Sequence, residues 1–529
     1  MNVLSITCRF LYLMTTCILT AFLVFYSNGA IANKNVYENA ASKSIELDSG
    51  KLTKKIEQSL DKLSVVQGLS IAVYYPNGHY VAGFGVSDND SHEKVSTDTV
   101  FYIASSTKSM LALLMSIKHE QGEVNLDQSL RDFAPSAPFP KNINAHQITI
   151  RNLLSMSSGI KHPAYVHRVA YSGEHNQNLL WDLIGQTKPN QSKKIRLGHF
   201  RYTNWNYNLL ARLVEQNTRQ TWQQMLQSEI FNKLGMTRTT AYISKAEKEG
   251  WSIARPHSSI GGDAPRRSYL EKTDKTMQSA GGVYMSAKDA LTWLDLFIND
   301  GAVNGKPVFA AKAIQATREP LTAANTRFGP YQRDFYGLGW YIGRYGKDNI
   351  KFVHHFGGFS GARAHISYMP EKNIGVAVFV NDSQVGSKLV DVIANYVYDS
   401  LLGYESSPDS FNMKLDEIVE WKEDTNTKIA AQRERISQRK WSLERPLKDY
   451  QGTYINEEFG TIKIEVEANT LRVTNGNLTA LAQAGDNPES IMVELIPLNG
   501  QYLKFKSVFF GFGSIQAVEY EGVIFELLN

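Results

Sequence analysis

Cysteine is almost missing from this chain. Of 529 residues only Cys8 and Cys17 are cysteines, and both lie close to the N-terminus. Around them Arg9 precedes an apolar run from Phe10 to Tyr26, and Ala30-Ile31-Ala32 follows. This reads as a secretory signal cut after Ala32, which places the mature protein in the periplasm or outside the cell. The run is long for a signal, so an uncleaved membrane anchor is the alternative. Beyond Cys17 no thiol is left to form a disulfide, act as a nucleophile or bind a metal, although the chain is read as exported. An excess of either charge is lacking too, with 56 Lys and Arg against 52 Asp and Glu. The net charge is +4, with no basic stripe, which excludes nucleic acid as a partner. No His, Asp and Glu residues stand at metal-ligand spacing, so neither a metal nor a cofactor is expected. Internal repeats and low-complexity tracts are also lacking.

What is present is ordinary globular composition, 43% hydrophobic and 20% charged, in a chain long enough for more than one domain. Residues 33–49 are polar and read as a flexible segment. Leu52 to Leu63 has helical spacing. Leu69–Tyr75 and His79–Val86, split by Pro76-Asn77-Gly78, read as a β-hairpin. A mainly helical block follows, with helices over Tyr207–Glu215, from Trp222 towards Leu234, and over Asp289–Ile298. Strands return with Tyr336–Ile342, Ala362–Met369 and Ile374–Val380, and a long apolar helix runs from Ser387 to Leu402. Hairpins at both ends of a helical block predict an α+β fold: one antiparallel sheet flanked by helices, with a helical subdomain inserted. Residues 50–403 would form this domain and 404–446 a linker that includes a charged helical stretch from Leu415 to Arg435. Residues 447–529, with short alternating strands and turns at Asn475-Gly476 and Asn499-Gly500, would form a small C-terminal β-barrel.

The chemistry points to Ser105-Ser106-Thr107-Lys108, where a polar start runs into an apolar helix. Residues three apart share a helix face, so the Lys108 amine stands beside the Ser105 hydroxyl. A deprotonated amine there is a base for the hydroxyl, and the helix N-terminus offers N–H groups to a developing oxyanion. The same spacing recurs at Ser59/Lys62, Ser91/Lys94, Ser158/Lys161 and Ser437/Lys440, in polar or charged surroundings that read as solvated faces. Ser105 differs because its helix is apolar, and a buried lysine needs a partner or a task.

With Tyr202-Thr203-Asn204 and His355-Phe356-Gly357-Gly358 added, the chain resembles the serine β-lactamase and penicillin-binding-protein superfamily, in its class C-like branch. Ile148 to Gly159, Ser279 to Gly282 and Tyr336 to Trp340 support the resemblance over about residues 50 to 400. The tail from Leu447, with Tyr450, Gly452 and Tyr454, is similar to the lipocalin-like domain of some members. The resemblance implies an acyl-enzyme on Ser105, with Lys108 taking or relaying its proton. Tyr202 would be the general base, its phenolate favoured by Lys108 and His355. Asn204 and His355 would contact substrate, and the N–H groups of Ser105 and Gly358 would form the oxyanion hole. On its own Tyr202 also reads as a core tyrosine. His354, pointing away from His355 on a strand, reads as packing or surface. Asn381 and Asp382 read as turn residues.

The implied activity is hydrolysis of an amide or ester in a small molecule or peptide, with β-lactamase or D-Ala-D-Ala carboxypeptidase activity, or a non-catalytic acyl-binding role, as alternatives. A homo-oligomer through the C-terminal domain is a further expectation. Classical β-lactamases carry lysine where His355 stands. An imidazole is mostly neutral at pH 7, so uncharged substrates should be favoured and carboxylate substrates should gain as pH falls towards 6.

Overall fold

The protein was analysed as a computed structural model, which describes residues 46–528 apart from Val65, residues 191–195, Asp263, residues 405–408 and residues 510–511. The expected signal, both cysteines and most of the segment 33–49 lie outside the described residues. Asp48 caps the first helix, α1 (Ser49–Lys62), by accepting from Lys51 N at 2.8 Å. Then come β1 (Gly68–Tyr75) and β2 (Gly78–Gly85), the expected hairpin, and the helix α2 (Thr107–Glu120) that carries the S-x-x-K lysine. Every residue of α2 from Thr107 to Lys118 is buried, as expected of a helix that is apolar on nearly all sides.

The inserted block supplies α3 (Asn204–Thr218) and α4 (Ala287–Ile298). It is followed by β3 (Thr322–Phe328), β4 (Tyr331–Tyr336), β5 (Tyr341–Tyr345), β6 (Ile350–Phe359), β7 (Ala362–Met369) and β8 (Ile374–Val380). These make one antiparallel sheet in the order β3-β4-β5-β6-β7-β8-β1-β2. The first and last parts of the chain meet where β1 pairs β8, Leu69 opposite Val380. Alternation sorts the two faces. Ala72, Ala377 and Phe379 join α2 and α4 in one core, while Ile71, Val73, Val376 and Val378 face α1 and the helix α5 (Val385–Leu402) in another.

One expectation is corrected. Tyr336–Ile342 is not one strand: β4 ends at Tyr336 and β5 begins at Tyr341, and Gly337 to Trp340 turn between them. That turn needs Gly339, which has φ of +78°, and a Cβ there would lie 2.8 Å from Lys108 O. The charged helical stretch read within the linker, Leu415 to Arg435, lies inside a 28-residue helix, α6 (Ser410–Ser437), whose Phe411, Leu415 and Ile418 sit in the same core as α5. Its apolar side is sparse among charges, which is why its composition looked like a spacer.

The last strands are β9 (Gly452–Asn456), β10 (Gly460–Glu467), β11 (Thr470–Asn475), β12 (Leu478–Leu481), β13 (Gln483–Ala484), β14 (Ser490–Ile496), β15 (Asn499–Phe509), β16 (Phe512–Tyr520) and β17 (Val523–Leu527). They form a nine-stranded antiparallel sheet, β12-β11-β10-β9-β17-β16-β15-β14-β13, curled nearly closed around Tyr450, Tyr454, Ile462, Val473 and Phe505. This barrel is seated on the inserted block by polar contacts. Arg168, only 5% exposed, donates to Glu458 O at 2.6 Å, Glu457 O at 3.0 Å and Glu174 O at 2.6 Å. Glu174 Oε2 accepts from Thr461 N at 2.9 Å, and Asn477 N donates to Ser172 O at 2.8 Å. Leu270, from the inserted block, belongs to the barrel's own core.

Candidate active site

Ser105 sits in a single 3₁₀ turn (Ala104–Ser106) at the mouth of α2, half-exposed in an otherwise buried stretch. Ala104 just before it is held at φ +45°, a region that costs a non-glycine residue energy. The surroundings hold it there. Ile103 N donates to Val283 O at 3.0 Å, and Ser106 Oγ donates to His355 O at 2.9 Å. Two glycines allow this crowding: a Cβ on Gly357 would stand 1.9 Å from Ile103 O, and one on Gly281 would stand 3.3 Å from Ala104 C. Hence β6 and the loop at Gly281 close on the Ser105 turn from two sides.

Lys108 is fully buried one turn into α2. Its Nζ lies 2.6 Å from Ala280 O, 2.8 Å from Asn204 Oδ1 and 3.2 Å from Ser105 Oγ. No carboxylate is paired with it among the described residues, and burial pushes its pKa well below that of an ordinary lysine. A neutral amine has two N–H groups and one lone pair. The carbonyl oxygen of Ala280 and Asn204 Oδ1 can only accept, so they take the two N–H groups. The lone pair is left facing the Ser105 hydroxyl.

Tyr202 precedes Thr203, the N-cap of α3, whose hydroxyl accepts from Trp205 N at 3.2 Å. The cap points the loop so that Tyr202 and Asn204 both reach Lys108; the Lys108 Nζ lies 4.8 Å from the Tyr202 ring centre. Burial raises the Tyr202 pKa above that of an ordinary tyrosine, and a hydrogen bond with Ser105 pulls it partly back. The phenolate expected from sequence is therefore not the resting form near neutral pH.

His355 is 1% exposed. Its Nδ1 faces Phe356 O at 3.0 Å and its Nε2 faces the Tyr336 hydroxyl at 3.2 Å. A carbonyl only accepts, so Nδ1 carries the proton and Nε2 accepts from Tyr336. Burial first, with the charge of Arg333 adding to it, holds the His355 pKa well below the ordinary histidine value. This works against the expected gain of carboxylate substrates towards pH 6, because burial disfavours the charged imidazole. Gly358 is exposed on the strand just beyond, while Gly357 is buried against the Ser105 turn.

The fold thus gathers Ser105, Lys108, Tyr202, Asn204 and His355, from segments almost 250 residues apart in sequence, into one contact network. His354 turns to the opposite face and packs on Phe356, with ring centres 4.3 Å apart. Asn381 ties Gly68 N to Ser87 O, and Asp382 accepts from Gly386 N at the start of α5, so both are structural. Sequence reasoning missed two contributors. Tyr336 lay inside a quoted segment but had no assigned task. Arg333, whose guanidinium lies 3.9 Å from the Tyr341 ring centre, left no signal in the sequence. Among the described residues no group of acidic and histidine side chains could hold a metal ion.

This arrangement can deprotonate a hydroxyl beside a helix N-terminus. A beta-lactamase family profile matches residues 53–395. The chain belongs to this family. It is 25% identical over 349 residues to protein flp of Staphylococcus aureus, the match covering 64% of each chain. Among solved structures it resembles the octameric penicillin-binding protein homologue of Pyrococcus abyssi, with a TM-score of 0.56 and 22% identity over 90% of this chain and 100% of that one. It also resembles D-amino acid amidase from Ochrobactrum anthropi SV3, with a TM-score of 0.54 and 20% identity over 67% of this chain and all of the amidase. At these identities the two structures speak for the fold of the family member.

Proposed function

We propose that this family member is an exported hydrolase that cleaves an amide or ester bond through an acyl-enzyme on Ser105. The observation that carries the reading is Lys108, buried without a carboxylate and 3.2 Å from Ser105 Oγ. Neutral Lys108 takes the Ser105 proton as Oγ bonds to the acyl carbon. The carbonyl π pair moves onto oxygen, and the oxyanion is received by the N–H groups of Ser105 and Gly358. The proton on Lys108 then passes through the Tyr202 hydroxyl to the departing nitrogen or oxygen, and the acyl–leaving-group bond breaks. Tyr202 acts as a shuttle because burial keeps it protonated. Asn204, already holding Lys108, turns its amide nitrogen towards substrate. His355 orders Tyr336 and the strand beside the acyl group. Water then repeats the addition and frees the acid. That the fold neighbours include a D-amino acid amidase supports an amide of a small amino-acid-like substrate.

A fluorophosphonate probe tests this. The full-length protein should be labelled at Ser105, and Ser105→Ala should abolish both labelling and hydrolysis. Labelling of the variant at the original rate would place the nucleophile elsewhere.

A further inference from the structure

Lys272 is a second lysine shut away from water, 6% exposed, and it has no part in the proton transfers at Ser105. No carboxylate is paired with it among the described residues; its neighbour Glu271 is taken by Arg255 and Arg267. Its Nζ donates to Ala170 O at 2.7 Å and to Thr276 O at 3.3 Å, both in the inserted block. The third direction is closed by the Phe359 ring, whose centre lies 3.5 Å from Nζ. Burial pulls the pKa of this amine down. Yet all three neighbours are electron-rich, and the lone pair of a neutral amine would face one of them. An ammonium has one N–H group for each carbonyl and one for the ring face. Lys108 differs, because its third neighbour, the Ser105 hydroxyl, can donate.

The ring under Lys272 belongs to a pair. Phe359 and Tyr102 meet edge to face, with ring centres 5.8 Å apart and planes at 75°, and the Tyr102 ring centre lies 5.5 Å from Lys272 Nζ. Each ring stands beside one arm of the proposed oxyanion hole. Phe359 ends β6 directly after Gly358. Tyr102 lies three residues before Ser105, with the strained Ala104 between them. The Tyr102 hydroxyl also donates to Gly281 O, next to the Ala280 carbonyl that holds Lys108. The strand β5 pairs with β6 only as far as Tyr341 opposite His354. Among the described residues, His355 to Phe359 therefore have a strand neighbour on one side only. Ser106 Oγ holds the start of that stretch at His355 O, and the Phe359 ring is the hold on its end.

We propose that Lys272 is a positioning residue: its ammonium clamps Phe359 and Tyr102, and so fixes the spacing between the Gly358 and Ser105 N–H groups that receive the oxyanion. This rests on the hydrolase reading of the Ser105 site. The contacts of Lys272 are with carbonyls and rings, so it moves no proton to or from Ser105. Preorganised donors act where charge develops, so a loosened clamp slows acylation more than it weakens binding.

The test is the rate of fluorophosphonate labelling, over a range of probe concentrations, of the full-length protein, of Lys272→Met, Lys272→Arg and Phe359→Leu, and of the double variant Lys272→Met with Phe359→Leu. Losing an oxyanion donor outright costs about 100- to 1000-fold, and displacing one costs less. The limiting rate should therefore fall about 10- to 100-fold in Lys272→Met and in Phe359→Leu, with the half-saturating concentration within about twofold of wild type. The double variant should be little worse than either single one, because both remove the same contact. Lys272→Arg keeps a cation over the ring and should recover part of the rate. The pH limb set by Lys108 should stay in place. An unchanged limiting rate in either single variant, losses that multiply in the double variant, or a moved pH limb overturns the proposal. A second measurement needs no labelling. The ε-methylene of carbon-13-labelled Lys272 should resonate upfield of the other lysines, from the ring current of Phe359, and return to their range in Phe359→Leu. Absence of that shift in the wild type overturns the clamp. A shifted methylene in a wild-type protein that takes no label refutes the hydrolase reading alone.

Discussion

Replacing Arg168 by methionine should loosen the seat of the barrel without unfolding either sheet. Methionine keeps much of the aliphatic volume and removes three bonds from a charged donor, to Glu458 O, Glu457 O and Glu174 O. Each such bond is worth about 1.5–3 kcal/mol. The sum overstates the loss for two reasons. The guanidinium no longer has to be desolvated, and Glu457 is exposed enough for its carbonyl to turn to water. A net local cost of about 2–4 kcal/mol remains. The amides that report it are Thr461 N, bound to Glu174 Oε2, and Asn477 N, bound to Ser172 O. Their hydrogen exchange should quicken by about 30- to 1000-fold at neutral pH. Amides in β7 and β8, remote from the seam, should be unaffected. Unchanged exchange at Thr461 and Asn477 would refute the assignment of Arg168 as the anchor. Equal quickening throughout the main sheet would show that the barrel and the sheet open as one unit.

Two further outcomes concern protons. Lys108 acts as an amine, so fluorophosphonate labelling should rise with pH along a limb well below the ordinary lysine value of about 10.4, and Lys108→Arg should remove that limb; a limb at the ordinary value would contradict the burial argument. The same depressed pKa means that the folded state binds fewer protons than the unfolded one between the lowered value and the ordinary one. Through that window this group makes stability rise with pH. The His355 pKa is also lowered, so the relative turnover of carboxylate and uncharged substrates should stay flat from pH 7 to pH 6, and a gain of the carboxylate with a midpoint near 6.5 would show that His355 charges after all.

Local sequence was enough for much of this molecule. The strands read at Ala362–Met369 and Ile374–Val380 became β7 and β8 with those bounds. The apolar surroundings of Ser105 and Lys108 marked one S-x-x-K among five, because a lysine in an apolar helix is costly unless it has a task. Spacing also separated His355 from His354, since neighbours on a strand face opposite ways. The protonation states were decided by the tertiary structure alone. Whether Lys108 is an amine, Tyr202 a phenol and His355 neutral depends on how much water and which charges surround each group. Those surroundings come from Ala280, Tyr336 and Arg333, far away in sequence. The seating of the barrel was likewise hidden, because most of its acceptors are backbone carbonyls, which every residue has. The sequence by itself determined which groups could react; burial and long-range contact decided in what charge state they meet, because desolvation belongs to a place in the fold and not to a residue type.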